Sequence, residues 1–279
     1  MSADAARGEA GITAGVHVAA GTRYGFLTDT TLCIGCKACE VACKQWNSLP
    51  ADDVAFSADG YDHTRGLSHG TWRHVKFIEQ PPAGGGSARW LFNSDVCKHC
   101  AKAGCLEACP TGAIVRTEYG TVLIQHDVCN GCKYCEPSCP FGVITVDKGG
   151  SGTAHKCTLC HDRLRDGLEP ACAKSCPTDS IQFGPIDMLL TRGRARVAGL
   201  QRQGFGEARL YGDPDGDGAT HGIGQLQSLF VLMDHPNAYN LSAAPTLPAR
   251  HILPALLTSA VAAVTLVGAA AVALLADRR

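Results

Sequence analysis

Sixteen of the 279 residues are cysteine, and they fall into four quartets with none left over. The quartets are Cys33, Cys36, Cys39, Cys43; Cys97, Cys100, Cys105, Cys109; Cys129, Cys132, Cys135, Cys139; and Cys157, Cys160, Cys172, Cys176. Thiolates are nucleophiles and soft metal ligands, and paired thiols oxidise to disulfides, so disulfide staples and metal ligation are the two uses to weigh. Residues 1–30 carry no sustained apolar stretch flanked by positive charge and no twin arginine. No export signal of the chain's own is expected, and in a reducing cytoplasm metal ligation is the better use of the thiols.

The first and third quartets, CIGCKACEVAC and CNGCKYCEPSC, have the spacing of bacterial ferredoxins, in which thiolates hold a cubane cluster. Three cysteines two residues apart can wrap one cluster from a single loop, while the fourth reaches a neighbouring cluster. Quartets are therefore expected to work in pairs. The second quartet widens its middle gap to four residues and the fourth to eleven. Only nineteen residues separate Cys109 from Cys129, which pairs the second quartet with the third and leaves the first for the fourth. Cys-x-x-Cys pairs also mark structural zinc sites, but those need two separated pairs rather than a continuous run closed by proline.

His99, His155 and His161 lie beside cysteines. With four thiols per cluster already supplied, they are expected around the metal sites or on the surface. Lys37, Lys98 and Lys133 each follow a cysteine and Lys156 precedes one. An oxidised thiolate-ligated cubane carries a charge of about −2, so lysines near it would stabilise the reduced form; the plain alternative is a solvated lysine.

The elements that must position these residues follow from a repeat. Residues 109–114 (CPTGAI), 139–144 (CPFGVI) and 176–181 (CPTDSI) are copies of one idea, a unit of loop, short helix and strand. Residues 113–115 and 121–124 read as strands around a turn at Tyr119-Gly120, which makes a compact α+β unit. The cysteine-free stretch 44–96 contains Pro81-Pro82 and three glycines at 84–86. It is expected to be an insertion with few long elements, in which Trp46, Trp72 and Trp90 pack locally.

Residues 186–203 alternate apolar Ile186, Leu189, Leu190, Val197 and Leu200 with Arg192, Arg194, Arg196 and Arg202. This predicts an amphipathic helix whose basic face is either solvated or a partner surface. Asp213, Asp215, Asp217 and Gly218 imitate the opening of a calcium loop, but Gly224 stands where a bidentate glutamate is required. A turn-rich loop is expected there. Residues 252–276 include no charged residue over 25 positions; at about 1.5 Å per residue such a helix would cross a hydrocarbon core of about 30 Å. Small Ser259, Ala263, Gly268 and Ala270 would allow close approach of a partner helix, and a buried core helix is the alternative.

The formal net charge of −1 offers no basic footprint for nucleic acid. Aromatic residues make up only 6% of the chain beside 32 glycines and 14 prolines, so loops held by something other than a large aromatic core are expected. No nucleophile–base set, phosphate-binding loop or dinucleotide fingerprint is evident.

The order of quartets, the prolines after three of them, and residues 156–160 (KCTLC), 169–172 (EPAC) and 175–178 (SCPT) resemble the iron–sulfur subunits of molybdopterin oxidoreductases. Among these the chain is most similar to the β subunits of membrane-bound formate dehydrogenases. Phe183-Gly-Pro, Arg196, Tyr211, Thr220-His221-Gly222, Val231-Leu232 and a single tail helix follow the same plan over residues 24 to 276.

The resemblance implies four [4Fe–4S] clusters. One would take Cys33, Cys36, Cys39 and Cys176, and a second Cys43, Cys157, Cys160 and Cys172. A third would take Cys97, Cys100, Cys105 and Cys139, and the fourth Cys109, Cys129, Cys132 and Cys135. The fold so implied is α+β: two ferredoxin-like double-cluster units with long loops, plus one C-terminal transmembrane helix. The division expected is an N-terminal extension at 1–23, a four-cluster domain at 24–183 with an insertion at 44–96, an extension at 184–249, and an anchor at 250–279.

The role implied is electron transfer from a molybdenum- or tungsten-pterin catalytic subunit, where formate is oxidised, to a membrane cytochrome b and quinone. The chain itself would bind no formate and hold no active site. Arg278 and Arg279 favour a cytoplasmic C-terminus and Arg250 opposes it; the resemblance places the cluster domain on the outer face of the cytoplasmic membrane. The alternatives are the iron–sulfur subunit of a hydrogenase, a polysulfide reductase or a nitrate reductase and, from another class, a membrane-anchored zinc scaffold.

Overall fold

A computed structural model of the protein describes residues 18–52, 62–81, 88–216 and 222–276. Most of the N-terminal extension, Pro82 and the glycines at 84–86, Asp217, Gly218, Thr220, His221 and Asp277 to Arg279 lie outside the described residues.

The central strand is β1 (Tyr24–Asp29), buried along its whole length. It pairs in parallel with β10 (Ser228–Leu232), from Phe26 opposite Ser228 to Asp29 opposite Val231. On its other edge it runs antiparallel to β8 (Ile181–Pro185). The fourth strand, β9 (Arg209–Tyr211), completes the order β8-β1-β10-β9. Because successive strand residues face opposite sides, Leu27, Leu229 and Val231 pack against helix α5 (Ile186–Arg202) through Ile186, Leu189, Leu190 and Leu200. Phe26, Phe230 and Leu232 face the other way, into a core shared with Cys39, Cys43, Cys97, Cys157 and Cys172. A sheet covered on both faces explains why β10 is wholly buried and mostly apolar.

This sheet crosses the boundary expected near residue 183. β1 comes from one side of that boundary, β8 straddles it, and β9 and β10 come from the other, so residues 184–249 complete the sheet. Residues 223–227 also hydrogen-bond along the second quartet's loop. Lys102 donates to the Ile223 carbonyl at 2.7 Å, Ala101 to Gln225 at 2.9 Å, and Gln227 to Lys98 at 2.9 Å.

The cysteine segments form short elements. Cys39 and Cys43 lie on α1 (Ala38–Trp46), Cys105 on α2 (Gly104–Glu107) and Cys172 on α4 (Ala171–Lys174), while Cys160 precedes α3 (His161–Arg165). The three repeat copies share one turn: Gly112, Gly142 and Asp179 each donate an N–H to the carbonyl of the cysteine three residues before. All three take positive φ, 69°, 62° and 52°. Each turn feeds a strand, respectively β4 (Ile114–Arg116), β6 (Thr145–Val146) and β8. β4 pairs with β5 (Val122–Ile124) and β6 with β7 (Ala154–His155). The two hairpins enclose a small core of Ala103, Ile114, Val122, Ile144, Val146 and Ala154.

Two expectations for the cysteine-free stretch are corrected. It holds the longest strands described, β2 (Arg73–Gln80) and β3 (Arg89–Val96), paired antiparallel from Arg73 opposite Val96 to Gln80 opposite Arg89. The Pro-Pro and glycine signals mark the connection between these strands rather than an irregular segment. Trp46 does not pack locally either: its Nε1 donates to Asp162 Oδ2 at 2.7 Å and its ring lies 4.2 Å from the Arg163 guanidinium carbon.

Helix α5 forms as its pattern predicts, yet three of its arginines are engaged within the chain, Arg192 Nη1 donating to Gln182 Oε1 at 2.9 Å. Arg196 Nε donates to Asp29 Oδ2 at 2.7 Å, fastening the helix to the end of β1. Arg194 donates to Asp213 at 2.6 and 2.7 Å and to Asp215 at 2.6 Å, which gives the acidic loop an internal cation. The last helix, α6 (Ile252–Ala276), is different in kind. Its stretch Ile252–Ala270 is long and apolar enough to cross a membrane, with mean hydropathy 2.1 and no burial against the rest of the chain.

The close spacing of β1 and β10 gives a direct test. A Cβ on Gly25 would stand 2.2 Å from the Gln227 carbonyl oxygen and 2.9 Å from Ile186 Cδ1. Gly25→Ala is expected to cost about 1–3 kcal/mol by overpacking; an unchanged midpoint in chemical denaturation would contradict the packing described.

Candidate iron–sulfur sites

The local backbone is the same wherever a Cys-x-x-Cys pair opens a quartet. The residue before the second cysteine has positive φ in all four: Gly35 at 69°, His99 at 42°, Gly131 at 70° and Leu159 at 58°. Left-handed geometry costs a non-glycine residue about 1–2 kcal/mol, so His99 and Leu159 are held there by their surroundings. The conformation turns backbone N–H groups toward the sulfurs, as in anion-binding nests. The Leu159 N–H donates to Cys157 Sγ at 3.3 Å, and the Gly35 N–H does the same for Cys33. At Gly131 a side chain is excluded as well, since a Cβ would lie 2.1 Å from the Gly152 carbonyl oxygen.

Tertiary structure gathers thiols across quartets. Cys33, Cys36, Cys39 and Cys176 line a small cavity walled by Ile34, Val75 and Ile181. Cys97, Cys100, Cys105 and Cys139 line another with Val122, Phe141 and Ile144. Cys109, Cys129, Cys132 and Cys135 line a third with Ile114, Val146 and Ala154. The remaining four, Cys43, Cys157, Cys160 and Cys172, are all buried. They act on one another: the Cys43 thiol is pushed well up by burial and then by Cys157, Cys172 and Cys160. The packing of α1 on α4, with Ser175 Oγ donating to the Ala38 carbonyl at 3.3 Å, is what brings the first and fourth quartets together.

The four groups also adjoin one after another. Besides burial, Cys39 of the first group feels Cys172 of the second. Cys157 of the second feels Cys97 of the third, and Cys105 of the third feels Cys135 of the fourth. Desolvation is the largest cause of the shifts, and it pushes Cys39, Cys105 and Cys157 up to about 12. Each of the three cavities presents four soft donors in an apolar wall and no carboxylate. Among the described residues no group of three or more His, Cys, Asp and Glu side chains is placed to hold a single metal ion. Four thiols spread around an apolar space suit a multi-iron cubane better than one ion bound at about 2.3 Å.

Of the described histidines, only His99 lines one of these cavities. It is 1% exposed, and its Nδ1 accepts the Val122 N–H at 3.1 Å while its Nε2 has no hydrogen-bond partner. Burial and then the charges of Lys156, Arg116 and Lys98 hold the ring well below its ordinary value, and therefore neutral. His155 packs on His126 and Trp72, and His161 on Tyr119 and Glu118.

The four lysines divide. Lys98 and Lys156 are buried against the third group, Lys98 bound to Asp95 and to the Val96 carbonyl at 2.7 Å, Lys156 to the carbonyls of Val122 and Cys157. Lys37 pairs with Asp62 and, at 3.7 Å, with Glu40, and Lys133 is exposed. One further cation was not legible in the sequence. Arg73 lies in the middle of the long cysteine-free stretch between Cys43 and Cys97, yet it is fully buried beside the thiols of Cys172, Cys39, Cys157 and Cys43. No local spacing signals it, because the β2–β3 hairpin delivers it.

The thiols should differ sharply in reactivity in metal-free protein. Burial raises the Cys109 thiol, but the Thr111 hydroxyl and the backbone N–H groups of Ile114, Thr111 and Ala113 together bring it net below its ordinary value. At pH 8 a thiol near 12 is almost wholly protonated. Allowing for the greater nucleophilicity of its thiolate, it should react about 100-fold more slowly than an ordinary thiol. Alkylation followed by peptide mass spectrometry is expected to label Cys109 and the exposed Cys36 and Cys132 first, and Cys39, Cys105 and Cys157 last. Uniform labelling of natively folded protein would contradict this ranking.

Comparison with known proteins agrees with the chemistry of the donor set. Family models described as 4Fe-4S dicluster domains match residues 32–113 and 88–186. The iron-sulfur subunit of the nitrate-inducible formate dehydrogenase of Escherichia coli (strain K12) is 42% identical over 217 residues, 77% of this chain and 70% of that protein. The formate dehydrogenase iron-sulfur subunit of Haemophilus influenzae is 40% identical over 217 residues, 77% of this chain and 66% of that protein. The B subunit of the anaerobic dimethyl sulfoxide reductase of Escherichia coli (strain K12) is 34% identical over 206 residues, 72% of this chain and 93% of that protein. With [4Fe–4S] dicluster domains over its cysteine region and relatives of this closeness, the chain belongs to the family of formate dehydrogenase iron–sulfur subunits.

Proposed function

We propose that the chain carries four [4Fe–4S] clusters and serves as the wire between a molybdopterin catalytic subunit that oxidises formate and a membrane cytochrome b that passes electrons to quinone. The observation that carries this reading is the unbroken run of four four-thiol groups, each adjoining the next. In it Cys33, Cys36, Cys39 and Cys176 hold the first cluster; Cys43, Cys157, Cys160 and Cys172 the second; Cys97, Cys100, Cys105 and Cys139 the third; and Cys109, Cys129, Cys132 and Cys135 the fourth. When bound, each cluster supplies a one-electron carrier. The protein's part is to fix the distances, exclude water and set the charge around each group.

The ends of the run differ from its middle. The second group has four buried cysteines, whereas the first and fourth each include an exposed one, Cys36 and Cys132. Exposed Ile34 and Leu32 lie close to Cys36 in the chain, and exposed Tyr134 and Val128 close to Cys132. Exposed apolar residues around an electron exit suit docking of a partner subunit. The apolar helix α6 supports a membrane anchor; Arg278 and Arg279 favour a cytoplasmic C-terminus against Arg250 on the other side, and the resemblance to formate dehydrogenase β subunits tips the balance toward a cluster domain outside. Residues 24–183 then carry the clusters, 184–249 complete the sheet that frames them, and 250–279 form the anchor. The similarity to a dimethyl sulfoxide reductase subunit favours, as a second reading, the same wire in a reductase complex; the catalytic subunit that co-purifies distinguishes the two.

Purified protein is expected to hold about sixteen iron and about sixteen acid-labile sulfide, as four cubanes require; stoichiometric zinc without sulfide would sink the reading. Cys176→Ser and Cys36→Ser are expected to perturb the same paramagnetic resonance signal, and two unrelated signals would refute the grouping. Expressed without partner subunits, a chain ending at Arg250 is expected to leave the membrane fraction with its iron, and in the full complex protease added to intact spheroplasts is expected to digest the cluster domain. Membrane retention of the shortened chain, or full protection until lysis, would overturn the anchor or the orientation respectively.

A further inference from the structure

Arg73 opens β2, and only 1% of its surface is exposed. Its Nη1 donates to the Ser94 carbonyl at 3.2 Å and to Ser94 Oγ at 3.0 Å, and Ser94 Oγ itself lies 3.3 Å from Cys39 Sγ. Its guanidinium carbon is 4.7 Å from the centre of the Phe26 ring, which braces the group from one side. The other two nitrogens, Nε and Nη2, are buried with no hydrogen-bond partner. Asp95, which follows Ser94, is paired with Lys76 and Lys98 rather than with Arg73. The groups whose charge Arg73 feels are thiols, from both the first group (Cys39) and the second (Cys43, Cys157, Cys172).

A buried guanidinium with orphan donors requires an anion, and sulfur is the anion on offer. We propose that Arg73 is a fixed cation shared by the first and second clusters, donating its free Nε–H and Nη2–H to their sulfur atoms and holding both reduction potentials up together. This rests on the reading that those two groups hold [4Fe–4S] clusters. Adding one electron takes such a cluster from about −2 to about −3, so a cation fixed between two of them in a poorly polarisable interior favours the reduced form of each. Because a guanidinium is not deprotonated in proteins, this contribution is independent of pH. The coupling makes Arg73 a positioning and tuning residue for two carriers at once, unlike Lys98 and Lys156, which sit against the third group.

The test is a redox titration of the purified protein followed by paramagnetic resonance, in the natural chain, Arg73→Lys and Arg73→Gln. Arg73→Gln is expected to lower the potentials of the first and second clusters together, each by a factor of ten or more in the reduction equilibrium, about 59 mV for one electron. The other two potentials stay in place, and Arg73→Lys recovers most of the shift. Unmoved potentials, a shift confined to one cluster, or equal shifts in Lys and Gln would overturn the proposal. Should Arg73→Gln fail to assemble its clusters, the natural protein decides. Guanidino-15N arginine labelling and pulsed measurements on the reduced protein are expected to show nitrogen coupling at both spins, and absence of coupling at either one overturns the proposal. If instead the natural protein lacks the iron, the cluster reading falls and this proposal with it.

Discussion

The crowding of thiols in a protein interior is the constraint on which the rest of this structure depends. Four sulfurs around one small apolar space repel one another as soon as they lose their protons, and burial makes each loss costlier, which is why Cys39, Cys105 and Cys157 are pushed up to about 12. The fold answers with three kinds of support. Left-handed turns at Gly35, His99, Gly131 and Leu159 shape the four opening loops, and the Gly35 and Leu159 N–H groups point at the sulfurs of Cys33 and Cys157. Buried cations, Lys98, Lys156 and Arg73, stand against the groups. Short helices and Cys-Pro turns place successive cysteines about one helical turn apart, so that neighbours in sequence serve different cavities.

The sheet is the frame that keeps these supports in register. β1 and β10 come from nearly opposite ends of the described core, and they pair in parallel with their apolar residues alternating toward α5 and toward the cysteines. The residues just before β10 bond along the loop of Cys97 and Cys100, and Ser228 Oγ donates to the Cys97 carbonyl at 2.8 Å. Displacing the sheet would therefore displace the second quartet. That linkage gives residues 184–249 a structural role inside the cysteine domain in addition to any surface they offer to a partner.

The same frame explains where sequence reading and structure part company. The Pro-Pro and glycine run near residue 82 looks like loop punctuation, but the strands on either side, β2 and β3, are long and well paired. Their importance is not local: β2 carries Arg73 to the thiols of the first two groups and Val75 to the first cavity, and β3 carries Ser94 there and Asp95 to Lys98. The arginines of α5 read as a free basic face, yet Arg194 and Arg196 are held by Asp213, Asp215 and Asp29, partners that lie outside the helix.

The sequence by itself determined the chemistry. The number and spacing of the cysteines, the three Cys-Pro copies, the α5 pattern and the uncharged tail are all local features, each readable within a few residues because ligation from one loop, helical periodicity and membrane-crossing length are local constraints. Tertiary structure decided what depends on contacts between distant segments. It set Cys176 beside Cys33 and Cys139 beside Cys97, ordered the four groups one after another, buried Lys98 and Lys156 while leaving Lys133 exposed, and drove Arg73 between two groups with no motif to announce it. The physical reason is that these outcomes are fixed by strand pairing and side-chain packing between segments far apart in the chain, as when Tyr24 comes to lie opposite Pro185, and no short spacing encodes them.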